Sequence, residues 1–127
     1  MKVAAVIATM LLSIVVIFQV ALAAGAPWGR AAWGGQHQGV LPTRLRIASG
    51  AVAFVVYPII IVAVLDAAGF LDLDLLPGNG ATVIWTFVAL FTFGALANLF
   101  SRSMLERLWA PVSLAIAVCC VFIAAGF

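Results

Sequence analysis

The chain has 127 residues, of which 67% are hydrophobic and 8% charged, with a formal net charge of +2. Ordinary soluble domains carry about 25% charged residues, and a soluble fold of this size cannot keep so much apolar surface from water. The composition excludes a soluble enzyme, a disordered chain and a disulfide-stapled secreted domain, and it leaves an integral membrane protein.

Four uncharged apolar runs, residues 3–24, 47–65, 81–100 and 109–127, are 22, 19, 20 and 19 residues long. A transmembrane helix needs roughly 20 residues, because about 30 Å of hydrocarbon is crossed at about 1.5 Å per residue. The expected fold is therefore all-α. A single integral membrane domain over residues 1–127 forms a four-transmembrane-helix bundle, with a Gly/Trp-rich interfacial connection between helices 1 and 2. Every charged residue falls outside the four runs. Ionisable groups inside a span mark proton relays, ion paths and coupled transport, so the pattern argues against proton-coupled transport.

The first run follows Lys2, and residues 21–23 read Ala-Leu-Ala, like a signal-peptide cleavage site. Signal h-regions are shorter, about 7–15 residues, so the run is expected to stay as a helix. Residues 25–46 then carry Trp28, Trp33, Arg30, Arg44, Arg46 and several glycines. Pro27 is expected to open a short surface helix that sets Trp28 and Trp33 at headgroup depth. Gly34, Gly35 and Gly39 would let the backbone turn or approach a partner. The arginines suit lipid phosphates or an anionic ligand. His37 has no acid near it in sequence, and a lone histidine makes no metal site, so it reads as a loop residue.

In the second run, Tyr57-Pro58 predicts a bend. Residues 66–80 form an acidic loop with Asp66, Asp72 and Asp74, and Pro77-Gly78-Asn79-Gly80 is a strong turn signal. The loop has too few oxygen ligands for calcium. Gln19, Thr86 and Asn98 are the polar side chains expected to face neighbouring helices. Ala4/Ala8, Ser49/Ala53 and Ser113/Ala117 are spaced for close helix contact. Beyond the third run, Ser103 and Glu106 fit a reciprocal capping box, with Glu106 spaced to pair with Arg102. Pro111 either kinks a continuous fourth helix or sits at its start after a short turn. Cys119 and Cys120, adjacent on a helix, cannot reach disulfide geometry and read as apolar packing residues.

Five of the six basic side chains, Arg30, Arg44, Arg46, Arg102 and Arg107, lie in the first and third connections, against Lys2 alone on the other side. The positive-inside rule then puts both connections in the cytoplasm and both termini outside the cell membrane. The segments Gly25-Ala26-Pro27-Trp28-Gly29, Ala32-Trp33-Gly34-Gly35 and residues 39–46, with Asn98-Leu99-Phe100-Ser101-Arg102-Ser103, Glu106-Arg107 and Pro111, resemble small bacterial four-span membrane proteins to which no activity is attached. The resemblance covers most of the chain and implies no catalytic residue.

These readings lead to a structural, accessory or lipid- and partner-interacting membrane protein. Its candidate face is Trp28, Arg30, Trp33, His37, Arg44, Arg46, Arg102 and Arg107. The expected partners are the lipid bilayer with its anionic headgroups, a further copy of the chain or a membrane protein, and not nucleic acid. No catalytic set, cofactor or metal site is expected. The alternatives are an uncoupled small-solute transporter or channel formed by an oligomer, and a lipid- or quinone-linked enzyme with His37 as its base.

Overall fold

The computed structural model describes residues 1–78 and 80–126. Asn79 of the expected turn and Phe127 at the end of the fourth run lie outside the described residues. Four helices are long and apolar enough to cross a membrane: α1 (Lys2–Ala24), α2 (Thr43–Ala67), α3 (Ala81–Leu99) and α4 (Met104–Ala125). No strand occurs among the described residues.

α1 and α3 match the charge-free runs almost residue for residue, but α2 and α4 do not. α2 begins at Thr43 rather than residue 47, and α4 begins at Met104 rather than residue 109. A hydrophobic run stops at the first charge, whereas a helix stops where its backbone loses partners. The Pro42 carbonyl accepts from the Leu45 and Arg46 amides at 3.0 Å each, so the first turn of α2 already contains the arginines. Arg44, Arg46, Asp66, Glu106 and Arg107 consequently sit within the long helices. The charge-free runs are thus shorter than the helices that contain them, and these ionisable side chains occupy helix ends outside the runs.

Just before Pro58 the helix widens into a π-helical turn over Val52–Val56. The Tyr57 amide donates to the Val52 carbonyl, five residues back, and the widened turn absorbs the donor that proline lacks. Pro111 causes no comparable disturbance. α4 is a short turn, Met104–Arg107, followed by the main helix Trp109–Ala125. Pro111 is the third residue of that helix, where an amide has no intrahelical acceptor in any case. The short-turn alternative is therefore the one adopted, with the helix starting at Trp109 and not at Pro111.

α3 and α4 form the most extensive pair, α1 lies between α2 and α4, and α2 touches α3 only lightly. Small residues allow this closeness: Ala5, Ala8, Ala53 and Ala117 are buried, and a Cβ on Gly94 would sit 3.7 Å from Ser113 Oγ. The main core gathers Leu12, Val64, Ile84, Ile116 and Cys120, and both cysteines are buried and free. A second, smaller core of Leu22, Ala32 and Leu41 lies under the first connection. Ile17, Phe54, Phe93 and Phe122 point outward, a surface suited to hydrocarbon rather than water. Thr86 departs from expectation: it is exposed and donates to Thr82 of its own helix at 3.0 Å instead of facing a neighbour.

At the end carrying the termini, Asp66 organises the acidic loop by accepting the Leu73 and Leu75 amides at 3.0 and 3.1 Å. Gly80 closes a turn onto the Pro77 carbonyl at 3.1 Å. The Lys2 ammonium lies 5.3 Å from the Phe70 ring centre.

Candidate functional site

The glycine-rich connection between α1 and α2 forms two tight 3-10 turns, Gly29–Ala31 and Trp33–Gly35, not a surface helix opening at Pro27. The glycines explain the difference. Gly34 and Gly35 take φ of +81° and +69°, a left-handed region that ends any helix there. The Gly29 amide donates to the Gly39 carbonyl at 2.8 Å, which folds the connection back on itself. A Cβ on Gly29 would lie 2.6 Å from the His37 carbonyl oxygen and 2.7 Å from that of Gly39, so the two arms of the loop approach at a distance only glycine permits.

This loop is fastened to the bundle at three points. The Trp33 indole donates to Ser49 Oγ of α2 at 2.9 Å. The Gly34 amide donates to Glu106 Oε2 of α4 at 2.8 Å. The Ser103 hydroxyl donates to the Arg30 carbonyl. Trp33 itself takes φ of +52°, unfavourable for a bulky residue, and its bond to the fully buried Ser49 helps hold it there. Trp33→Phe keeps the ring but removes the donor from a buried hydroxyl. Its expected cost is about 1–3 kcal/mol, read as a lower midpoint of thermal unfolding in detergent.

The capping box forms only in half. Ser103 Oγ accepts the Glu106 amide at 3.4 Å, but the Ser103 amide goes to Ser101 Oγ at 3.1 Å. The Glu106 carboxylate binds Gly34 instead of reaching back to Ser103 or across to Arg102. A charged acceptor makes the stronger bond with an otherwise unpaired loop amide, and that long-range demand overrides the local motif.

The candidate face is thus divided. Arg30, Arg44, Arg102 and Arg107 are exposed at this end of the bundle. Arg46 is half-buried and its Nε donates to the Ala23 carbonyl at 3.1 Å, closing the C-terminus of α1. Trp28 is 50% exposed and stacks on Phe18 with ring centres 6.3 Å apart. Trp33 is 40% exposed and tied to α2. His37 is half-buried in the loop. Among the described residues no group of three or more His, Cys, Asp or Glu side chains is placed to hold a metal.

Beneath the loop lies a cavity of about 310 Å³ bounded by all four helices. Along α1 the inward stripe runs Leu12, Val15, Gln19, Leu22. Its two ends enter the two cores, while Val15 and Gln19 face the cavity between them. α2 contributes Tyr57, α3 contributes Asn98, and α4 contributes Glu106, Trp109 and Ser113. The Phe18 and Trp109 rings meet at 4.7 Å with a 49° tilt. Gln19 Oε1 is buried without a hydrogen-bond partner. Glu106 is only 8% exposed. Gln19 and Asn98 were recognisable from sequence as polar groups turned inward. Glu106 in the cavity wall was not, because its partner is 72 positions away and leaves no local signature. Compared with protein-family models, curated proteins and solved structures, the chain matches none.

Proposed function

We propose that the chain is a multi-pass protein of a bacterial cytoplasmic membrane, with both basic connections on the cytoplasmic side, acting as an accessory protein that gathers anionic lipid headgroups. The observation that carries this reading is the joining of the two connections into one end by the Gly34–Glu106 and Ser103–Arg30 bonds. Arg30, Arg44, Arg102 and Arg107 are exposed around that end. The exposed apolar flanks of all four helices support a bilayer as the solvent. Arginines at an anionic membrane surface contribute about 1 kcal/mol each and lose it as salt rises.

The test compares native and variant protein in nanodiscs holding equal phosphatidylglycerol and phosphatidylcholine. Lipid carried through gentle detergent extraction would be counted by native mass spectrometry. The native chain is expected to retain phosphatidylglycerol preferentially. Joint replacement of Arg30, Arg44, Arg102 and Arg107 by Gln is expected to abolish the preference while leaving the unfolding midpoint within about 1 kcal/mol of native. Equal retention of both lipids by the native chain, or an unchanged preference in the variant, rejects the reading.

A further inference from the structure

Two oxygen acceptors in the cavity wall stand out. Gln19 Oε1 is a buried acceptor with no donor. Glu106 brings a carboxylate, buried to all but 8%, that uses Oε2 on the Gly34 amide and has no hydrogen bond to Oε1 among the described residues. Among the described residues no Lys, Arg or His lines the space. The remaining wall is rich in aromatic rings, from Phe18, Trp33, Tyr57 and Trp109.

A carboxylate largely shielded from bulk water gains from a counter-charge placed beside it. Aromatic faces attract cations by about 2 kcal/mol or more once water is excluded. An anion would meet repulsion from Glu106. A neutral apolar guest would leave both acceptors unpaired. From these observations we propose that the cavity is a binding site for a small organic ammonium ion, a protonated primary or secondary amine on a compact apolar body. Its N–H groups donate to Glu106 Oε1 and Gln19 Oε1, and its charge lies against the rings. The volume of about 310 Å³ is at the small end of ligand pockets, roughly 300–1,000 Å³, and fits a body of one ring rather than a lipid. The site lies beneath the loop that carries the arginine edge and takes ligands of the opposite charge.

The full-length protein in zwitterionic micelles would be titrated with phenethylammonium, its neutral counterpart 2-phenylethanol and its anionic counterpart 3-phenylpropanoate. Quenching of tryptophan emission follows occupancy, since Trp33 and Trp109 line the cavity. Saturable binding is expected for the ammonium, with the alcohol and the carboxylate weaker by about tenfold or more. Glu106→Gln retains an oxygen for the Gly34 amide but loses the charge, and should weaken the ammonium by about tenfold with no gain for the alcohol. Gln19→Leu removes an acceptor that has no partner to lose. It should lower ammonium affinity without lowering the unfolding midpoint. Equal affinity for all three probes, no saturable binding, or ammonium binding indifferent to both substitutions overturns the proposal. Should Glu106→Gln fail to fold, the probe series and Gln19→Leu decide it.

Discussion

Gly29→Ala is expected to unseat the connection. The added methyl would stand 2.6 and 2.7 Å from two backbone carbonyl oxygens. Neither oxygen belongs to a flexible side chain, so the 37–39 segment must move away. Its departure breaks the 2.8 Å bond from the Gly29 amide to Gly39. Overpacking together with the lost bond costs about 2–4 kcal/mol. The expected readings are a lower unfolding midpoint and red-shifted tryptophan emission, as Trp28 and Trp33 enter a wetter environment. Gly39→Ala is the internal control. Nothing lies within 4 Å of its Cβ, so it incurs only the left-handed backbone penalty, about 1 kcal/mol. If the two substitutions prove equally mild, the close approach does not hold the loop.

Glu106→Ala is expected to release the same loop from the other side. The Gly34 amide would lose a charged acceptor at 2.8 Å, a change of about 1.5–3 kcal/mol. Hydrogen exchange across residues 29–39 should accelerate by about ten- to a hundredfold. Exchange in the main core around Leu12, Val64 and Cys120 should change far less. Glu106→Gln should recover part of the protection, because an amide oxygen still accepts, though more weakly than a carboxylate. Identical exchange in native and Glu106→Ala protein would mean that the bond does not secure the loop.

Much of the bundle could be read directly from residue order. Charge-free runs located α1 and α3 closely, since those helices begin and end where their apolar sequence does. The charge-free run falls short of the start of α2 for one reason. Arg44 and Arg46 look like loop residues when charges are counted, yet they belong to a helical turn started by the Pro42 carbonyl. Small residues at Ala8, Ser49, Ala53 and Ala117 marked helix contacts correctly, because close approach in a bundle demands them locally. The site was less legible. Ser103 and Glu106 satisfied a local capping rule, and only half of it forms, because the carboxylate has a stronger claim from Gly34. Such a claim depends on where the chain returns after two further helices, which no window of sequence reports. Thr86 shows the opposite failure: a hydroxyl can satisfy itself on its own helix, so its polarity did not require a neighbour.

The fastenings of the loop also set an order of events during synthesis. Trp33 finds Ser49 only 16 positions later, so that bond can form while the first hairpin is still being completed. Gly34 and Arg30 must wait for Glu106 and Ser103, 72 and 73 positions downstream. At translation rates of about 5–20 residues per second, this is a delay of roughly 4–14 s. Throughout that interval the nascent chain carries an unfinished loop whose Gly34 amide lacks its acceptor. The final half of the chain therefore completes the first, and a ribosome that stalls before residue 106 leaves the hairpin open at its basic end.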